Sequence, residues 1–209
     1  MEVIDIAKKI EQYGGRLYLV GGAVRDEFLK VKNTDEDYCV VGLSCEEFES
    51  MFPNAYKRGK DFPVYDIDGK EFAMARKEKK VGEGHTKFEI EISKNITIED
   101  DLKRRDITIN SIDVLTGKII DPFNGIKDIN DKVIKMTSSA FSEDPLRVYR
   151  VARFAAVLEF NVDEKTICEM KRIKEELKTL SSERVFMEFK KALNSKRPSI
   201  FFEVLRKSE

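Results

Sequence analysis

Asp35 and Asp37 are separated by one residue, Glu36, and follow a glycine pair in the string Leu19-Val20-Gly21-Gly22-Ala23-Val24-Arg25-Asp26. Side chains alternate along a strand, so an extended segment here sends Asp35 and Asp37 from one face and Glu36 from the other. Two carboxylates on one face suit a hard cation such as Mg²⁺, which keeps part of its coordination for substrate phosphates. Two such ions can activate an attacking hydroxyl and stabilise departing pyrophosphate. The glycines let the backbone approach a phosphate closely. A helix opening directly behind them offers free N–H groups and the positive end of its dipole, with Arg25 adding a full charge. The chemistry implied is nucleotidyl transfer.

Positioning these groups requires a strand, a turn, a helix and a second strand. Leu17 to Val20 reads as a short buried strand, Gly21-Gly22 as the turn, Ala23 to Leu29 as the helix and Asp35 to Val41 as the second strand. Upstream, Ile4 to Tyr13 has the pattern of an amphipathic helix. Ser44 opens another helix through Phe48 and Met51, with Glu46 or Glu47 able to cap it in return. Phe62 to Ile67 and Glu71 to Arg76 flank Asp68-Gly69, a strong hairpin signal. Glu71 opens the second hairpin strand, and pairing of that strand with the Asp35 strand would bring a third carboxylate alongside. Further strands are expected near Phe88 to Ile92 and Ile112 to Leu115, with Thr116-Gly117 turning the latter into Ile119-Ile120. From Asp144 the apolar period becomes helical, through Leu146, Val148, Val151, Ala152, Ala155 and Val157, and the remainder reads as successive helices. The expectation is an α/β head over residues 1–140 and an all-α neck over 141–209.

Two later segments carry charges suited to nucleotides. In Asp101-Leu102-Lys103-Arg104-Arg105-Asp106-Ile107-Thr108-Ile109-Asn110, guanidinium groups could clamp a triphosphate, and Asp106 could orient them or meet a ribose hydroxyl. In Glu143-Asp144-Pro145-Leu146-Arg147, Asp144 and Pro145 have the arrangement of a helix cap and first-turn proline. Arg147, Arg150 and Arg153 then recur along one helical face beside the apolar stripe. An aspartate and an arginine together can accept from and donate to a base edge.

Composition narrows the field. The chain has 209 residues, 41% of them hydrophobic, and a formal net charge of −1. That is enough to bury a full core. No run of eighteen apolar residues occurs and the opening Met1-Glu2-Val3-Ile4-Asp5 is not a signal peptide, so a cytoplasmic protein without membrane attachment is expected. Three cysteines, Cys39, Cys45 and Cys168, lack metal-ligand spacing and are expected to be reduced and structural. The single histidine, His85, excludes a histidine-rich phosphohydrolase domain or a zinc site needing two histidines. It lies in a glycine-flanked segment, Val81 to Thr86, that reads as a solvated loop. From Pro145 onward Lys and Arg exceed Asp and Glu by five, which makes a basic arm opposite an acidic metal site.

Taken in order, Gly21 to Asp26, Asp35-Glu36-Asp37, Lys103 to Asn110, Asp121-Pro122-Phe123-Asn124-Gly125, Glu143 to Arg150 and Glu183-Arg184-Val185 closely resemble the class II tRNA nucleotidyltransferases, the bacterial CCA-adding enzymes and their poly(A) polymerase relatives. The resemblance runs from about residue 16 to 206. It implies a polymerase-β-like nucleotidyltransferase head with a mixed or antiparallel sheet, followed by a helical neck, and template-independent addition of C, C and A to tRNA 3′ ends from CTP and ATP. CC-adding, A-adding and poly(A)-adding relatives share nearly all of these motifs, and a nucleotide- and RNA-binding module without processive activity is the alternative from another class. The resemblance makes Asp35 and Asp37 the metal-binding pair, with two Mg²⁺ expected, and Glu71 the third carboxylate. Gly21, Gly22, Arg25 and Asp26 match the triphosphate-side motif, and Arg105, Asp106 and Asn110 the ribose and phosphate motif. Asp144 and Arg147 match the pair that hydrogen-bonds the incoming base, Arg150 and Arg153 match further nucleotide contacts, and Lys77 to Thr86 match a flexible loop implicated in switching from C to A. Two departures stand out. Lys30 occupies a position where many relatives have glycine, and the body and tail helices that grip tRNA in relatives are expected to be absent here.

Overall fold

A computed structural model describes residues 1–31, 36–59, 62–80, 88–108, 113–114 and 116–209, with the side chains of 79, 80, 88, 89, 113 and 114 excepted. Asp35, Asn110, His85 and most of the expected switching loop lie outside the described residues.

Two compact units interleave along the chain. The first comprises the described residues of Met1–Glu78, Glu89–Lys103 and Asn110–Pro122. The second comprises those of Lys79–Phe88, Arg104–Ile109 and Phe123–Glu209. A cut at residue 140 would therefore divide residues that pack in one unit.

In the first unit α1 (Val3–Gln12) leads into β1 (Arg16–Val20), and the Gly21 turn leads into α2 (Gly22–Phe28). Then come β2 (Asp37–Val41), α3 (Cys45–Met51), β3 (Tyr56–Arg58), β4 (Val64–Ile67) and β5 (Lys70–Met74). A mixed sheet forms in the order β1-β2-β5-β4-β3, with β2 and β5 parallel and the other neighbours antiparallel. The β4–β5 hairpin turns at Asp68 and Gly69, whose φ angles of 52° and 80° are the left-handed pair that a two-residue hairpin needs. Ser44 and Glu47 complete a reciprocal cap on α3, so of the two candidate glutamates Glu47 makes the bond.

One sheet face is apolar. Tyr38, Phe72 and Tyr65 stand in register on adjacent strands, all buried, with the rings of Tyr38 and Phe72 stacked at 5.1 Å. Phe48 of α3 and Ile6 and Ile10 of α1 belong to the same core cluster. Every second residue on these strands faces the other way. Asp37, Glu71 and Asp66 are those residues.

β6 (Lys77–Lys80) and β7 (Phe88–Glu91) form a separate two-stranded sheet, so the first four residues of the expected loop are strand. α4 (Ile98–Lys103) follows, and β8 (Asp113–Val114) pairs with β9 (Ile119–Ile120). The second unit contains α5 (Gly125–Asn130), β10 (Val133–Ile134), α6 (Leu146–Leu158), β11 (Asn161–Val162), α7 (Glu164–Arg172), α8 (Ser182–Leu193) and α9 (Ser199–Lys207). α6 packs against α8 and α9, with Tyr149 stacked on Phe201 of α9 and Arg153 bonded to Glu188 of α8, and its stripe of Val148, Val151, Ala152 and Ala155 is buried. The helical region also holds strand: β10 pairs in parallel with β11 and draws residues 133–134 into this unit. Among the described residues no helix is long and apolar enough to cross a membrane.

Candidate active site

The register of the sheet assembles the first part of the site. Asp37 begins β2 opposite Val20, the last residue of β1 before the Gly21-Gly22 turn. On its other side Asp37 pairs with Glu71 of β5, and Glu71 pairs in turn with Asp66 of β4. Cross-strand partners share a face, so the carboxylates of Asp37, Glu71 and Asp66 form a row on the side away from the aromatic core. Asp37 and Glu71 are exposed and Asp66 is half-buried. Parallel pairing with β2 places Glu71 beside Asp37, as the expected third carboxylate requires. Glu36 belongs to the opposite side, where it accepts hydrogen bonds from Tyr38 Oη at 2.7 Å and Lys70 Nζ at 3.0 Å. These bonds, Tyr38's foremost, hold the Glu36 carboxyl below the usual carboxylate range. Among the described residues no three His, Cys, Asp or Glu side chains converge to hold a metal by themselves. The row nevertheless offers only carboxylate oxygens, the donors Mg²⁺ and related hard cations select.

The glycine turn has a conformational reason for its composition. Gly21 adopts φ 74° and ψ −137°, a region nearly closed to residues with a Cβ. α2 follows at once, one residue earlier than its expected start. Arg25 does not extend into solvent: its Nε and Nη2 donate to Asp26 Oδ1 at 2.8 and 2.7 Å, and both side chains are largely covered. Lys30, just beyond α2, has φ 55°. Its backbone is thus in the left-handed region that glycine enters most readily.

The other described residues expected to contact nucleotide lie in the helical unit. Asp106 is buried, and its Oδ2 accepts from Arg150 Nε at 2.7 Å. Burial alone would raise the Asp106 pKa, but the charges of Arg150 and Arg147 outweigh it and hold it at about 2. Arg150 Nη1 also lies 3.6 Å from Glu188 Oε1, and Arg153 Nε donates to Glu188 Oε2. An alternation of charges, with Asp106 and Glu188 buried and Arg150 and Arg153 half-buried, therefore ties the segment after α4 to α6 and α8. Arg147 is buried as well and donates to the carbonyls of Ala140 at 2.6 Å and Arg104 at 2.7 Å. Asp144 Oδ1 caps the first turn by accepting from Leu146 N at 3.0 Å, while its Oδ2 takes Arg184 Nη2 at 2.7 Å. The expected arginine row is thus no solvated face, because each guanidinium is engaged by the protein.

Comparison with known proteins gives the family. The family described as "Poly A polymerase head domain" matches residues 17–135. The chain belongs to this head-domain family. A second family, described as "Probable RNA and SrmB- binding site of polymerase A", matches residues 159–209. The head-domain match spans the glycine turn, Asp37, Glu71 and Asp106, while Asp144 and the α6 arginines lie between the two matches. A CCA-adding enzyme of Blochmanniella floridana is 47% identical over 197 residues, covering 91% of this chain and 47% of that protein. The Bacillus stearothermophilus CCA-adding enzyme solved with CTP superposes with a TM-score of 0.81 at 30% identity, over 98% of this chain and 51% of that one. A CCA-adding enzyme solved with ATP gives 0.77 at 26% identity, over 99% and 50%. The chain spans about half the length of the relatives it matches. The head-domain family is one of nucleotidyltransferases, in agreement with the chemistry read from the carboxylates.

Arg58, Asp66 and Glu188 escaped the sequence reading. Glu188 had one available signal: it stands one helical turn after Arg184 on the same face of α8. Its partners on α6 are remote in sequence. Arg58 carried no signal, since its role depends on strand order.

Proposed function

We propose that the chain supplies the catalytic and nucleotide-binding part of an enzyme that adds CCA to tRNA 3′ ends from CTP and ATP. The observation that carries this reading is the in-register pairing of Asp37 with Glu71, next to the strand that ends at Gly21-Gly22. Support comes from relatives named as CCA-adding enzymes and from neighbours solved with CTP and with ATP. Asp37, Glu71 and, from the resemblance, Asp35 would hold Mg²⁺. The ion would supply charge neutralisation at the reacting phosphate and the leaving pyrophosphate. The chain's own residues would do the rest. The Gly21-Gly22 backbone admits the triphosphate, and Arg25, oriented by Asp26, adds positive charge beside it. In-line attack by the terminal ribose hydroxyl on the α-phosphate then gains from orientation. Asp144 and Arg147 would face the incoming base, and Arg105, Asp106 and Asn110 its ribose and phosphates. The two bonds Arg147 makes to carbonyls use two of its five N–H donors and fix its plane for such reading. Cytoplasmic action belongs to the same reading.

The decisive experiment incubates the chain with Mg²⁺ and tRNA lacking CCA, supplying CTP alone, ATP alone or both. Two residues added with CTP, none with ATP and three with both are expected. A long ATP-only tail would reassign the product to poly(A), and no product in any lane would leave a binding module.

A further inference from the structure

We propose that Arg58 is a resident counter-cation of the carboxylate row, occupying Glu71 until a divalent cation displaces it and so setting how much divalent ion the site requires. This rests on the reading of Asp37 and Glu71 as metal ligands. Arg58 pairs with Val64 in the β3–β4 ladder, two residues along from Asp66, and so shares the face of Asp66, Glu71 and Asp37. Its two terminal nitrogens go to two different carboxylates: Nη1 lies 3.2 Å from Glu71 Oε1, and Nη2 lies 3.1 Å from Asp66 Oδ2. A guanidinium held this way can release Glu71 while Asp66 retains it. The ring of Tyr56, 5.7 Å from the guanidinium carbon, gives it a second resting contact. The Arg58 and Glu71 side chains are 53% and 49% exposed. An ion pair so open to water is weak and readily exchanged, whereas a divalent cation held by Glu71 and Asp37 would compete for the Glu71 carboxylate with twice the charge. The neighbouring Lys57 has no part in this competition, because its ammonium turns to the other face and meets Glu49 at 2.8 Å.

The test titrates Mn²⁺ and Mg²⁺, without nucleotide, into the chain and its variants, followed by calorimetry and by the Mn²⁺ paramagnetic resonance signal. Arg58→Gln is expected to tighten divalent binding about two- to fivefold, the range of one exposed charge pair. Lys57→Gln removes the same charge one residue away and is expected to change nothing. A purely structural Arg58, one that merely holds Glu71 in place, predicts weaker binding in Arg58→Gln and would overturn the proposal. Equal tightening by Lys57→Gln would overturn it too, by showing that net charge alone is responsible. Asp37→Asn separates the two levels. If it weakens binding while Arg58→Gln does not tighten it, only the role of Arg58 falls. If Asp37→Asn leaves binding unchanged, the metal reading falls and takes the Arg58 proposal with it.

Discussion

The carboxylates of the sheet and those of the helical unit have opposite surroundings. Asp37 and Glu71 lie on an exposed sheet face, where Glu71 has a half-exposed arginine for company. Asp106 and Glu188 are buried, and each takes a guanidinium within its own unit. Exposed ion pairs contribute about 0 to 1 kcal/mol, so the sheet carboxylates cost little to fold and stay exchangeable toward a ligand. Buried charges must be matched or they destabilise, so the helical carboxylates shape the unit that holds Asp144 and Arg147. Burial and partner, not kind of residue, set how readily each carboxylate exchanges its contact.

Three measurements break or sharpen this contrast, the largest effect first. Asp37→Asn is expected to lower CTP incorporation into tRNA by on the order of 10³-fold or more, the scale for losing a charge-stabilising catalytic group. Its unfolding free energy should stay within about 0.5 kcal/mol of the parent, as for other exposed sites. An undiminished rate, or a large loss of stability, would remove the contrast. Asp106→Asn should do the reverse to stability, costing about 3 to 5 kcal/mol because Arg150 loses its partner. For a chain of this size that lowers the thermal midpoint by roughly 10 °C, and an unchanged midpoint would mean the buried network is dispensable. The smallest effect is the acid response. The folded-state pKa of Asp106 is about 2 against an ordinary 3.8. Its contribution is therefore fully present above about pH 4 and is lost as pH falls toward 2. The difference amounts to about 2 kcal/mol. Urea unfolding between pH 5 and pH 2 should show parent and Asp106→Asn converging toward the acid end, and parallel curves would contradict the depressed pKa.

Local pattern carried much of the fold. The amphipathic opening helix, the Asp68-Gly69 hairpin, the Ser44 cap and the change to helical period after Asp144 each depend on neighbours within a few residues, and each is seen with its ends moved by one or two. Where pairing is remote, the reading stopped short. Nothing local shows that β5 joins β2 in parallel, that residues 104–108 pack with the helices, or that β10 meets β11 across α6. The arginine spacing at 147, 150 and 153 was legible as a face, but not which carboxylate each would find.

The sequence by itself therefore determined the residue types capable of the chemistry, the glycine turn and the strand and helix that carry them, because alternation and turn geometry are local properties. Only the tertiary structure decided that Glu71 lies beside Asp37, that Arg58 reaches Glu71, and that Asp106 and Glu188 share the arginines of α6. Those pairings depend on strand order and helix packing, where burial and long-range charge choose among partners that lie far apart along the chain.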